Sequence, residues 1–283
     1  MATVSNVTTT NTVVPIAPEF FGLKGRLKQT WMAGDYDQFS RYMEQEARVF
    51  YEQIDLPAGA RMLDVACGSG QVALWAARDG VDITGVDIAS NLVRRAQARA
   101  KAEGLKARFV EGDAEDLPFD DGSFDVVTSL YGAMFAPRPD YVAHELLRVT
   151  SPGGTIVMGN WTPGGFVGRM FKTFSRFIAP NGMPSPVLWG EKDVVRERLG
   201  AGISEIRMRY RTCMFNYPFP PSEVVEFFRR YYGPTNRAFA SLDASAATEL
   251  RAELETLWSE SNLAADGITV VPAEYLEVVA VRA

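Results

Sequence analysis

Three acids, Asp64, Asp87 and Asp113, each stand just after a short apolar run, and glycines gather around the first of them. The run Arg61-Met62-Leu63 leads into Asp64, and Gly68-Ser69-Gly70 follows. Gln71–Ala77 then reads as a helix. A strand, a glycine turn and a helix make a site of nucleotide size. Glycine lets backbone approach a ligand closely, and a helix start offers unpaired N–H groups. Asp87 lies seventeen residues after Gly70. A carboxylate there can accept hydrogens from both ribose hydroxyls, because it has two acceptor oxygens. Asp113 is placed to accept from an exocyclic amino group of adenine. Ser129 to Phe135 follows a fourth apolar run and would line the other wall.

The elements that position these residues alternate. Met62–Val65, Val81–Val86, Ala107–Val110, Phe124–Leu130 and Thr155–Asn160 read as strands. Gly70–Arg78, a helix capped by Ser90 and ended by Gly104, and Tyr141–Val149 read as the helices between them. Pro152-Gly153-Gly154 reads as a break. This rhythm predicts a mostly parallel sheet with helices on both faces. Ligands of such sheets sit beyond the strand ends, where strand order reverses, and the first strand is that point. Phe20 to Tyr51 reads as one or two helices ahead of the sheet. After Trp161 the rhythm fails. Phe166, Met170, Phe171, Phe174, Phe177 and Ile178 fit one helical face. Ile206–Phe215 reads as a strand, and Ser222–Tyr232 and Ala244–Ser261 as helices. Gly267–Val271 and Leu276–Val281 are strand-like, the last expected at the sheet edge.

The segments LDVACGSG, GVDIA, VEGDAEDLPFDDGSFDVV and ELLRVTSPGG follow one another between residues 61 and 160. In order and spacing they resemble the class I S-adenosylmethionine-dependent methyltransferases. The look is that of the small-molecule branch that includes the ubiquinone and menaquinone biosynthesis enzymes. The resemblance implies an α/β fold, a doubly wound, Rossmann-like, mostly parallel sheet of seven strands. N-terminal helices would precede it, and a helical cap would be inserted after the fifth strand. The implied organisation is a loose arm over 1–18, a cofactor-binding core with lid helices over 19–161, a substrate cap over 162–205, and sheet-completing elements over 206–283. The implied cofactor is S-adenosylmethionine, leaving as S-adenosylhomocysteine. Asp87 would hold the ribose, and Asp113 with the backbone of Ala114 the adenine. Ile88 would pack on the adenine face. Ala66, Gly68, Ser69 and Gly70 would pass beneath the methionine part, and Asp64 would help hold its ammonium. Ser129 and Leu130 would meet the cofactor through backbone groups. Tyr36, and with it Trp31, would close over the site. The family often has glycine where this chain has Ala66. The resemblance fades after residue 161, so it does not carry the acceptor's identity.

A dinucleotide enzyme is the rival, since Gly68-Ser69-Gly70-Gln71-Val72-Ala73 also fits G-x-G-x-x-A. Asp64 argues against it. A carboxylate before the turn repels a pyrophosphate and attracts an ammonium. A cofactor-binding regulatory or scaffold module without turnover is the non-enzymatic alternative. The single histidine, His144, falls away from the apolar stripe of its helix, so no histidine base is expected. Tyr131 or Asp35 would serve if the acceptor needs a base. Tyr131, Met134 and Phe135 are expected in the acceptor pocket, with Phe171 and Phe174 as its lid. Cys67 and Cys213 read as apolar fillers, and no Cys/His cluster has metal-ligand spacing. The chain has 283 residues, is 47% hydrophobic and carries a net charge of −6. That suffices for one sizeable core, and the acidic balance argues against a nucleic-acid partner. No run reaches the ~18 apolar residues of a membrane span. A cytoplasmic setting and a small-molecule acceptor, apolar or aromatic, are the expectation.

Overall fold

The computed structural model describes residues 18–179 and 182–283. The arm expected over 1–18 thus lies, except for Pro18, outside the described residues. Three helices come first: α1 (Pro18–Trp31), α2 (Tyr36–Ser40) and α3 (Glu44–Tyr51). The alternating part runs β1 (Arg61–Val65), α4 (Ala73–Arg78), β2 (Asp82–Asp87), α5 (Ser90–Ala102), β3 (Arg108–Glu111), β4 (Phe124–Leu130), α6 (Pro139–Val149) and β5 (Thr150–Trp161). Then follow α7 (Phe166–Phe174), α8 (Lys192–Leu199), β6 (Ile203–Tyr217), α9 (Pro221–Tyr231), α10 (Gly233–Ala240), α11 (Ala244–Ser261) and β7 (Thr269–Arg282).

The seven strands form one sheet in the order β3-β2-β1-β4-β5-β7-β6. The first five pair in parallel, and β7 runs antiparallel to both its neighbours. Met62, Leu63 and Val65 of β1 are fully buried, as a central parallel strand covered on both faces must be. Order reverses at β1, where β2 lies on one side and β4 on the other. Both neighbours carry their following turns to the same rim, and that opens a crevice there.

Four expectations are corrected. The last strand is not at the edge: β7 lies between β5 and β6, and β6 is the edge. β7 carries Leu276, Val278 and Ala280 fully buried, whereas β6 exposes Glu205, Arg207 and Arg209, a charged pattern that suits an edge. The two C-terminal strand-like runs are one strand. Pro272 does not break it, because β5 pairs only with Tyr275–Val281, so at Pro272 β6 alone is the partner. Pro152-Gly153-Gly154 is no terminator either. Its extra residues are taken up as an irregularity, since Phe124 pairs with Thr150 while Val126 pairs with Thr155. Ser90 does not cap α5: Ala89 is the cap residue, and Asp87 Oδ1 accepts from Ala89 N at 2.8 Å.

The helix α10 lies in a stretch that the sequence leaves without an element, between the helices expected over Ser222–Tyr232 and Ala244–Ser261. Gly233 serves a close approach. A Cβ there would lie 2.0 Å from the carbonyl oxygen of Thr30, so α10 crosses α1 at that glycine.

Glu115 ties α1 to the sheet's rim. Its side chain is fully buried and pairs with Lys24 Nζ at 2.8 Å and Arg138 Nε at 2.7 Å. Removing the carboxylate leaves cations in a poorly solvated place. Glu115→Ala is expected to lose about 3 to 5 kcal/mol of unfolding free energy, read as a lower urea midpoint. A loss under about 1 kcal/mol would show that Glu115 is not the tie.

Candidate active site

The turn after β1 is built from left-handed residues. Ala66 and Gly68 have φ of 56° and Gly70 of 88°. Alanine at such a φ costs about 1 kcal/mol relative to glycine. The turn is held by Asp87 across the strand gap: Asp87 Oδ2 accepts from Gly68 N at 2.8 Å. One carboxylate thus orders both the β1 turn and, through Ala89, the β2 turn. Asp64 Oδ2 accepts from Ala73 N, the start of α4, at 3.2 Å. Both acids are buried. Burial pushes the Asp64 carboxyl up to about 8 and the Asp87 carboxyl up to about 6.

The opposite wall is the turn after β4. Ser129 Oγ donates to the carbonyl of Val65 at 2.8 Å and accepts from Ala133 N at 2.9 Å. Tyr131 has φ 55°, and its ring stacks on Trp161 with centroids 3.7 Å apart. Burial raises its phenol well above the ordinary value, so it stays protonated. A Cβ on Gly132 would sit 2.6 Å from Ala66 Cβ and 2.7 Å from Ala66 O. The two turns therefore touch at their bases.

Between them opens a cleft of about 670 Å³. It brings together Tyr36, Ala66, Gly68, Asp87, Ile88, Asp113, Ala114, Leu130, Tyr131 and Phe135, together with Trp31. A hollow of about 440 Å³ adjoins it, lined by Asp64, Gln71 and Ser40 and sharing Tyr36, Ala66, Gly68, Leu130 and Tyr131 with the cleft. Tyr36 stands at this junction: a Cβ on Gly68 would meet its Cε1 at 3.4 Å.

Other expected residues stand behind the surface. Ser69 is fully buried, and its hydroxyl accepts from Gln71 Nε2 at 2.7 Å. Gly70 packs towards Leu74 and Ala96. Ser129 holds the wall rather than lining it, and Met134 is buried beneath. Asp35 is exposed, caps α2 by accepting from Gln38 N at 3.2 Å, and lines none of these cavities. His144 is exposed. Phe171 and Phe174 line a third cavity, of about 1550 Å³, which shares Leu27, Trp31, Phe135 and Ala136 with the cleft. Aromatic rings stand where the two adjoin. Trp31 lies 6.0 Å from Tyr36 and 5.0 Å from Phe135, and Phe135 lies 5.9 Å from Phe171.

Two residues escaped the sequence reading, Leu27 and Lys24. Leu27 lines the cleft, and Lys24 Nζ lies 2.5 Å from Asp113 Oδ2. Asp113 Oδ1 accepts from Glu115 N at 2.9 Å, which shapes the turn after β3. The amphipathic spacing of Leu23, Leu27 and Trp31 was the one available signal for α1's inner face.

The chain matches the family model described as "Methyltransferase domain" over residues 63–158. It is 34% identical over 160 residues to the demethylmenaquinone methyltransferase of Thermus thermophilus, covering 53% of this chain and 72% of that one. The chain belongs to the class I S-adenosylmethionine-dependent methyltransferases. A further relative, an uncharacterized protein of Mycobacterium tuberculosis, is 38% identical to this methyltransferase over 238 residues, 82% of this chain and 87% of the other. The fold is also that of a SAM-dependent methyltransferase structure from Thermotoga maritima. It is 14% identical, has a TM-score of 0.54 and spans 88% and 94% of the two chains.

The family cofactor is S-adenosylmethionine, and the residues of this methyltransferase fit it. Asp64 and Asp87 are two buried acids that pair with no cation among the described residues, which leaves their carboxylates available to an ammonium or to hydroxyl groups. The left-handed turn at Ala66 and Gly68 leaves backbone facing the cleft. Among the described residues, no group of His, Cys, Asp and Glu is arranged to hold a metal ion, and no helix is long and apolar enough to cross a membrane.

Proposed function

We propose that this methyltransferase moves the methyl group of S-adenosylmethionine to a small, largely apolar acceptor. The observation that carries the reading is that the acid-lined cleft and the apolar cavity beside α7 adjoin and share Leu27, Trp31, Phe135 and Ala136 as lining. In the cleft, Asp87 would hold the ribose, Asp113 and Ala114 the adenine edge, and Ile88 its face. Ala66, Gly68 and Leu130 would offer backbone, and Asp64 would receive the ammonium in the adjoining hollow. Tyr36 would shut that end. The bound cofactor's sulfonium supplies an electrophilic methyl. The protein's share is alignment and exclusion of water. Trp31 and Phe135 where cleft and cavity adjoin, and Phe171 and Phe174 of the 162–205 cap beyond them, are the groups that would orient an acceptor.

A base is not evident. Tyr131 is kept protonated by burial, Asp35 faces away, and no carboxylate or imidazole lines the larger cavity among the described residues. The reading therefore favours an acceptor atom that brings its own lone pair. The test is formation of S-adenosylhomocysteine with a panel of apolar amines, thiols and phenols, in wild type and Phe171→Ala/Phe174→Ala. The expected result is turnover with at least one acceptor and a KM raised roughly tenfold in the double variant. No turnover, or unchanged KM and kcat, would contradict it. A cofactor-binding module without turnover would bind the cofactor and leave every acceptor unchanged.

Cofactor binding should also release a proton. An acid pushed up to about 8 is mostly protonated at pH 7, whereas an ammonium partner favours the carboxylate. Affinity should rise roughly tenfold or more from pH 6 to 8 and flatten above. Folding runs the other way. The unfolded acid ionises near 4, so the Asp64 contribution to stability falls as pH rises from about 4 to about 8. Calorimetry at pH 7 in two buffers of different ionisation enthalpy reads the proton directly; equal heats would sink the assignment of Asp64.

A further inference from the structure

The cavity beside α7 has walls from α1, α7 and α10. Leu27, Trp31, Phe135, Met170, Phe171 and Phe174 make it mainly apolar. Among the described residues, its charged lining residues are Arg26 and Arg237. No acid lines it among the described residues, in a chain whose net charge is −6. Their placement follows from the helix crossing. α10 meets α1 where Gly233 abuts the carbonyl of Thr30. Arg26 lies one turn before Thr30 on α1, and Arg237 one turn after Gly233 on α10. The two side chains therefore sit on either side of one crossing and border the same cavity. Both are exposed, and neither guanidinium forms an ion pair with a described residue. Other arginines of this chain are paired closely, as Arg78 is with Glu103 and Arg211 with Glu277, and those without an ion pair to a described residue, such as Arg94 and Arg108, line none of the three cavities described above.

Two like charges that border one apolar cavity, neither paired with a described residue, make its rim attractive to an anion. Guanidinium groups bind carboxylate or phosphate oxygens in forked, charge-assisted pairs. An exposed single pair is worth little, but two arginines on one anion, backed by apolar walls, select strongly against a cation. We infer that the acceptor is amphipathic: an apolar or aromatic body seated against Phe135, Phe171 and Phe174, with an anionic end at Arg26 and Arg237. The inference rests on the proposed function, because it takes this cavity as the acceptor's. It orients the molecule, anion outward and accepting atom inward beside Trp31 and Phe135.

The probes are 6-phenylhexanoate, 6-phenylhexyl phosphate, 6-phenylhexanol and 6-phenylhexylamine, titrated calorimetrically into the full-length protein. S-adenosylhomocysteine is titrated in parallel. Wild type should bind one or both anions roughly tenfold tighter than the alcohol, and the ammonium more weakly than the alcohol. Which anion is tighter separates a carboxylate from a phosphate acceptor. In Arg26→Gln/Arg237→Gln the anion's advantage should fall below about threefold while alcohol binding stays. Retained alcohol binding shows the cavity is still formed. Equal binding of anions and alcohol, no binding of any probe, or an undiminished preference in the double variant would overturn the inference. If S-adenosylhomocysteine still binds in that case, the anion site alone has failed. If it does not bind, the reading of the cofactor cleft has failed as well.

Discussion

Asp87→Ala should weaken S-adenosylhomocysteine binding at least 100-fold, about 2.7 kcal/mol. Two losses combine. On the proposed placement the ribose would lose a buried acceptor pair, and hydrogen bonds to a charged group are each worth about 1.5–3 kcal/mol. The β1 turn also loses the oxygen that orders Gly68 N at 2.8 Å, and the β2 turn the oxygen that orders Ala89 N. Asp87→Asn separates them. It can keep one backbone acceptor but not both, and it loses the charge. It should therefore fall between wild type and alanine. Folding should survive, because the apolar strands beneath are untouched and the buried acid is itself costly to desolvate. Binding within threefold of wild type in Asp87→Ala would remove the ribose role.

Gly132→Val should be equally damaging by another route. The glycine lies where the turn after β4 meets the turn after β1, and even a Cβ would be 2.7 Å from the Ala66 carbonyl oxygen. Ala66 is already left-handed and backed by the β1–β2 pairing, so it has little room to retreat. Overpacking of this kind costs about 1–3 kcal/mol. The movement that relieves it displaces Ala66 and Tyr131, both of which line the cleft. A lower melting temperature together with loss of measurable cofactor binding is the expected pair of results. An unchanged melting temperature with full binding would mean that the two walls are not in contact.

The acid-bearing strand ends were legible in the sequence because their information is local. Asp64 lies one residue before the end of β1, Asp87 ends β2 and Asp113 stands two residues after β3, so a correct reading of the strands places them on one rim. The glycine turn was legible for the same reason. Residues whose role depends on distant partners were not. Ser129 sits in the right turn, yet its hydroxyl serves the scaffold, donating to the Val65 carbonyl across 64 positions of chain and so tying β1 to the β4 turn. Lys24 reaches Asp113 across 89 positions of chain, a contact no local pattern encodes. Asp35 looked like a base from its type and place, but a carboxylate before a helix is first a cap. The position of β7 inside the sheet depends on β6 returning outside it, and an apolar strand reads alike in either place. The stretch between Tyr232 and Ala244 carries no element in the sequence reading, because glycine at 233 permits both a turn and a close helix crossing, and only tertiary contact tells them apart.

The central claim is that the rim at β1 holds the cofactor with its ribose at Asp87 and its ammonium at Asp64. A crystal structure of the wild-type protein grown with S-adenosylhomocysteine tests it most directly. The account predicts density in the cleft, both ribose hydroxyls within hydrogen-bond reach of Asp87, adenine against Ile88 and Ala114, and the amino group in the hollow beside Asp64. Density bound elsewhere, or reversed so that adenine lies beside Asp64, would contradict it.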